Sequence, residues 1–170
     1  MALAFVRTVE RGLTDRLLWT FSEHLQGRGV RLAGVVQTNS DRPGSRHCDM
    51  DVRVLPDGPV IRINQVLGEA SRGCRLDPIA LEEAVALVEA TLDPAPDLLI
   101  INKFGKHEAE GRGFRPMIGE ALARDIPVLL GVNALNQEAF DAFAGDYAEE
   151  LAAEAGSLEA WFEQLRQVAA

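Results

Sequence analysis

The run Leu98-Leu99-Ile100-Ile101 constrains the fold more than any other stretch of this chain. Four apolar residues in succession do not alternate, so a strand made of them is apolar on both faces and must be covered on both. Such strands belong in the middle of a parallel sheet, with crossover helices on its two sides. Leu3-Ala4-Phe5-Val6, Val30 to Val36 and Ile126 to Val132 read as further strands of that sheet. Between them, Leu17, Leu18, Phe21 and Leu25 recur at helical spacing, behind Thr14 as N-cap and ahead of Gly27 and Gly29 as stop signals. Asp77-Pro78 opens a second helix, cap and then first-turn proline, carrying Leu81, Val85, Val88 and Leu92 on one face. A third helix starts near Pro116, and shorter helical stretches cover 136 to 144 and 157 to 168.

Residues 38 to 46 read as a polar loop. Met50 to Val54 and Val60 to Ile63 alternate apolar and polar residues around Pro56-Asp57-Gly58, the pattern of a β-hairpin. The expected fold is therefore α/β, in three layers, with a mostly parallel central sheet and an added β-hairpin. At 170 residues the chain has the length of a single domain, 1–170.

Charge excludes one class of partner. The formal charge is −9, which opposes nonspecific nucleic-acid binding through phosphate neutralisation. Residues 138 to 163 carry eight acidic groups and no basic one, whereas the middle of the chain sets Arg and Lys beside glycines. A site's field depends on its nearest charges, so a local anion site is compatible with an acidic chain. No apolar run approaches the ~20 residues that span a bilayer, and the N-terminus turns polar too soon for a signal peptide. The expectation is a cytoplasmic protein without membrane insertion.

Two segments fall where phosphate chemistry would. A strand, then G-x-x-x-x-G-K-[ST], then a helix forms a phosphate-binding loop, in which lysine neutralises phosphate and the hydroxyl holds Mg²⁺. Here the strand-turn-helix context holds Arg7-Thr8-Val9-Glu10-Arg11-Gly12-Leu13-Thr14. Gly12 and Thr14 fit; Arg7 replaces the first glycine and Leu13 the lysine, with Arg7 or Arg11 left to supply a cation. A capped strand-to-helix turn with no ligand is the other reading. In the second segment, the central strand runs on into Asn102-Lys103-Phe104-Gly105-Lys106-His107-Glu108. Asn102 stands where a metal-holding Asp belongs, and Lys103 where a water-activating Glu belongs. An amide is a poor Mg²⁺ ligand and an ammonium is no base, so Leu13, Asn102 and Lys103 all oppose metal-assisted hydrolysis.

Lys103, Lys106, Arg112 and Arg115 surround Gly105, Gly111 and Gly113 at the carboxyl end of that strand, the edge where α/β sheets bind ligands. This is an anion cradle, or else a solvated loop whose cations pair with Glu108 and Glu110. Cys48 and Cys74, the only cysteines, flank the hairpin. With His47 they are candidate ligands for a soft metal; alternatively Arg72 and Arg75 activate Cys74, or both cysteines simply pack. Trp161, Phe162 and Leu165 form an apolar stripe expected to pack onto the sheet.

The combination resembles a bacterial domain-of-unknown-function family of the P-loop superfamily, number 2478, often linked to molybdenum transport proteins. The segments that carry it are Arg11 to Leu18, Leu32 to Gln37, Cys48 to Asp51, Arg72 to Asp77 and Asn102 to Gly111. More distantly, Asn102 to Glu108 is similar to the Asp-Glu-hydrophobic-Gly-Lys-Met-Glu of small thermophile and vertebrate nucleoside-triphosphatases. Gly105, Lys106 and Glu108 survive and the two carboxylates do not. The resemblance implies a degenerate P-loop NTPase-like domain that binds a nucleotide or molybdate, a tetrahedral dianion comparable to phosphate. The expected phosphate or anion contacts are Arg7, Arg11, Gly12, Thr14, Asn102, Lys103, Gly105, Lys106 and Arg112, and the expected partners are a small anionic ligand and a molybdenum transport protein. Three readings stand: a non-hydrolysing binding protein, a triphosphatase using arginine or lysine for the missing lysine, and a metal or thiol protein built on Cys48 and Cys74.

Overall fold

The computed structural model describes residues 2–10, 12–41, 48–65 and 75–169. Its strands are β1 (Leu3–Val6), β2 (Leu32–Asp41), β3 (Cys48–Leu55), β4 (Val60–Arg62), β5 (Leu98–Phe104), β6 (Val128–Val132) and β7 (Ala148–Leu151). Its helices are α1 (Leu13–Gly27), α2 (Pro78–Glu89), the single turn α3 (Lys106–Ala109), α4 (Arg115–Ala123), α5 (Gln137–Ala144) and α6 (Ala155–Ala169). The sheet order is β4-β3-β2-β5-β6-β1-β7. The five strands from β2 to β7 run parallel, and β3 and β4 are antiparallel additions.

The apolar run behaves as its composition requires. Leu98, Leu99, Ile100 and Ile101 are all fully buried in the centre of the sheet. Successive side chains leave a strand on opposite faces, so the run feeds two cores. Ile100 joins Leu18, Phe21 and Leu25 of α1 and Leu158, Trp161 and Phe162 of α6; the apolar stripe of the last helix thus packs onto the sheet. Leu99 and Ile101 join Leu81 and Val88 of α2, Ile118 of α4 and Phe140 of α5. Helix, sheet and helix make the three layers. Asp77 caps α2 as its sequence demands, its Oδ1 accepting from the N–H groups of Ile79 (2.9 Å) and Ala80 (3.3 Å), with Pro78 in the first turn.

Two local expectations need correcting, and one strand escapes the sequence pattern. Thr14 does not cap the first helix: Gly12 does, at φ 78°, a left-handed conformation that side chains resist, and the helix starts at Leu13. Part of the expected polar loop, residues 38 to 41, continues β2, because the antiparallel register with β3 runs from Gly34↔Leu55 out to Asp41↔Cys48 and pairs the backbone whatever the side chains. The strand β7 gives no apolar signal, since Ala148-Glu149-Glu150-Leu151 is a short acidic edge, a composition that discourages pairing with other chains.

Candidate functional site

The connection from β1 to α1 lies on one face of the sheet and that from β6 to α5 on the other. Because β1 and β6 are neighbours, a crevice opens beyond their carboxyl ends, where ligands of α/β sheets bind. Among the described residues, 7–10 and 12 form one wall. Arg7 is ion-paired with Glu150 on β7 at 3.0 Å, and Arg16, in the first turn of α1, with Glu10 at 2.9 Å. Arg11 lies outside the described residues. The Thr14 hydroxyl, the metal-holding group of a phosphate loop, sits 3.0 Å from the Thr8 hydroxyl. Gly131 on β6 lets this first turn press against the sheet; a Cβ there would lie 2.7 Å from Thr14 Cγ2 and 2.5 Å from the Asn102 carbonyl oxygen.

The strand end opposite is a closed polar network. Asn102 is buried, and its Oδ1 accepts from the Gln37 backbone N–H at 3.0 Å. Its Nδ2 donates to Asp15 Oδ1 at 2.8 Å, and the second Asp15 oxygen accepts from the Asn39 amide. Gln37 Nε2 donates to Asn39 Oδ1 at 2.8 Å. One carboxylate and three amides thereby tie α1 to β2 and β5, and a satisfied network of this kind rigidifies the elements that share it. Asp15, Gln37 and Asn39 escaped sequence reasoning. The available signal was Gln37-x-Asn39, two amides at alternate positions and so on one side of β2, with Asp15 just past Thr14.

A phosphate-loop Mg²⁺ needs hard oxygen ligands in octahedral array, normally a hydroxyl and a carboxylate beside the phosphates. Here the hydroxyl faces Thr8, the strand-end oxygen is an amide already bonded to Gln37, and both Asp15 oxygens accept amide N–H groups. The donor set does not fit that ion.

The expected cations separate into two places. Asn102, Lys103, Gly105 and Lys106 line a cleft of about 320 Å³ between β2, β5, α2 and the hairpin. Lys103 is exposed and has no ion-pair partner among the described residues, whereas Lys106 contacts Glu110 only at 3.8 Å. Arg112 pairs with Glu110, holding that carboxyl below the ordinary range through its hydrogen bond, and lines a different cavity, near His107 and between α2 and α4. Among the described residues Glu108 pairs with no cation. It is buried, accepting from the Gly105 N–H at 2.9 Å and the Phe114 N–H at 3.0 Å, and so clamps the glycine-rich loop. Arg115 lies over the Phe143 ring at 4.9 Å, away from any anion cradle. Cys48 begins β3 in register with Asp41, while His47 and Cys74 lie outside the described residues. Among the described residues no group of three or more His, Cys, Asp or Glu is placed to hold a metal ion.

Residues 3–161 match the model of a family described as a protein of unknown function, DUF2478. The chain belongs to the DUF2478 family. A curated relative, Molybdenum import ATP-binding protein ModC 2 of Bradyrhizobium diazoefficiens, is 36% identical over 148 residues, 87% of this chain. The chain spans only 16% of that protein's length. The solution structure of a human cancer-related nucleoside triphosphatase is similar at TM-score 0.64 and 17% identity, covering 99% of this chain and 97% of that one. The crystal structure of THEP1 from the hyperthermophile Aquifex aeolicus is similar at TM-score 0.62 and 14% identity, covering 97% and 96%. The fold of this DUF2478 protein is thus that of the P-loop nucleoside triphosphatases, with the added hairpin. No helix among the described residues is long and apolar enough to cross a membrane.

Proposed function

We propose that this chain is one degenerate P-loop domain that binds an oxyanion or a nucleotide phosphate without hydrolysing it, as a cytoplasmic accessory to molybdenum uptake or use. The observation that carries the reading is the end of β5. Asn102 is locked by Asp15 and Gln37, and the next residue offers the cleft an ammonium that is unpaired among the described residues. The position that serves hydrolysis in a P-loop enzyme thereby supplies positive charge and no base. The molybdenum association rests on the named relative: a shared stretch of 148 residues is the size of one domain, so the common element is a module carried inside a longer protein. Molybdate and phosphate are both tetrahedral anions and suit the same donors.

Thermal shift with molybdate, tungstate, phosphate, sulfate and nucleotides, each with and without Mg²⁺, tests this. A ligand at a hundred times its Kd stabilises by about 2.7 kcal/mol, which for a domain of this size raises Tm by roughly 5–10 °C. The expected result is a shift with at least one anion, independent of Mg²⁺ and lost in Lys103→Ala. No shift with any of them removes the proposal. The triphosphatase reading predicts Mg²⁺-dependent phosphate release that disappears in Arg7→Ala; the Arg7–Glu150 pair weighs against it.

A further inference from the structure

The cleft beside Lys103 has a body as well as a mouth. Its floor is Val35, Val52, Ile63, Leu81, Ile101 and Phe114, all apolar and drawn from the core on the α2 side of the sheet, away from the phosphate-loop wall. Among its polar lining groups, those already satisfied can be set aside. Both Glu108 oxygens accept backbone N–H groups, and Asn102 is engaged at both ends of its amide. Asn133 Oδ1 accepts from the backbone and side-chain nitrogens of Asn136, which leaves its own amide N–H groups to donate. The charge the mouth offers a ligand is therefore positive, the Lys103 ammonium and the weakly held Lys106, beside the neutral amides of Gln37, Asn133 and Asn136. Among the described lining residues the one carboxylate, Glu108, is spent.

An apolar pocket with a few convergent donors selects an apolar molecule bearing an anionic head. The size is also limiting. At about 320 Å³ the cleft lies at the lower end of the range of small-molecule pockets, a scale that suits a ring-sized body. We infer that this cleft binds a small anion with an apolar, ring-sized body, its phosphate or carboxylate on Lys103 and Lys106 and its body on the floor between Val52, Leu81 and Phe114. This rests on the proposal that Lys103 is the anion contact, and narrows the ligand class of that site.

Isothermal titration with inorganic phosphate, phenyl phosphate and phenylacetate tests it on the full chain, beside NMR of methionine methyl groups. Met50 lines this cleft and Met117 lines the cavity of Arg112, so the two methyls report separately without any substitution. Phenyl phosphate is expected to bind on the order of ten- to a hundred-fold more tightly than inorganic phosphate, the gain for burying one ring. It should shift the Met50 methyl and leave Met117 in place. Phenylacetate binding as well would make the head group a general anion; its failure beside phenyl phosphate would specify phosphate, and both keep the inference. Equal affinity for inorganic and phenyl phosphate, or a tighter phenyl phosphate that moves Met117 instead of Met50, overturns the inference and leaves the anion proposal standing. Absence of binding by all three, together with no response to molybdate, sinks both. Lys103→Ala should abolish the phosphate-containing and carboxylate ligands alike, and retention of phenyl phosphate by that variant also refutes the assignment.

Discussion

Restoring the strand-end carboxylate by Asn102→Asp should harm this protein at neutral pH. The substitution removes the 2.8 Å donor to Asp15 and sets a second carboxylate against the first inside a buried network. Two like charges about 4 Å apart repel by about 4 kcal/mol at an effective dielectric of 20. Proton uptake limits the damage, since keeping one carboxyl protonated costs about 1.4 kcal/mol for each pH unit above its ordinary value. From an ordinary pKa near 4 both routes give about 4 kcal/mol at pH 7, a Tm loss of roughly 8–16 °C for a chain of this length. The sign follows from linkage. The shared proton has a folded-state pKa raised above the unfolded one, so its stabilisation is complete below about pH 4 and is lost as pH rises through the raised value. The deficit relative to the parent should therefore be small at pH 4.5 and large at pH 8. Adding Asp15→Asn returns one amide and one carboxylate with their order exchanged, and every donor of the network regains an acceptor. The double variant should recover most of the loss, with a coupling of about 2–3 kcal/mol. Urea melts at the two pH values measure both. A deficit independent of pH, or single-variant effects that simply add, would refute the network argument.

Glu108→Ala leaves the Gly105 and Phe114 N–H groups buried without an acceptor; about 2–4 kcal/mol should be lost. Limited proteolysis should then cut first within residues 105 to 114. Gly131→Ala forces apart groups that a Cβ would meet at 2.5 and 2.7 Å, and the variant should lose about 1–3 kcal/mol by chemical denaturation and bind anions more weakly through the displaced first turn of α1. The Asp97 carboxyl is held below its ordinary pKa by the Arg31 guanidinium, so the pair adds stability above about pH 4 that fades as pH falls through the lowered value. Because both groups are well exposed, Asp97→Asn should cost under ~1 kcal/mol at pH 7 and flatten the acid limb of a pH-stability curve.

The layers of this fold were legible because apolar periodicity is a property of a segment read by itself. Leu98 to Ile101 could be nothing but a central strand, and Asp77-Pro78 carried its own cap. The first-helix boundary was misread because Thr14 has a capping chemistry, while the left-handed turn at Gly12 depends on how the loop closes. The site was legible at the two motif segments and not between them. Nothing in Asp15, Gln37 or Asn39 read singly announces a network that forms only when residues 65 and 87 positions apart along the chain meet across α1, β2 and β5. The separation of Arg112 from Lys103 was invisible for the same reason, since a one-turn helix and the buried Glu108 clamp steer two neighbouring cations into different cavities.

Charge placement then decides which end of the sheet edge an anion can use. The acidic stretch of residues 138 to 163 includes Glu149 and Glu150 on β7, directly beside β1. Arg7, at the end of β1, is neutralised by that neighbour. Lys103 sits on β5, three strands from β7 in the sheet order, about 14 Å away at ~4.8 Å per strand. That exceeds the Debye length of about 8 Å at physiological ionic strength, so the acidic edge is screened from it. An acidic chain can thus keep Lys103 available to an anion by setting the acids of its β7 edge three strands away. Lowering the ionic strength should erode this separation, so a Lys103-dependent anion should gain less affinity in dilute buffer than an isolated lysine site would.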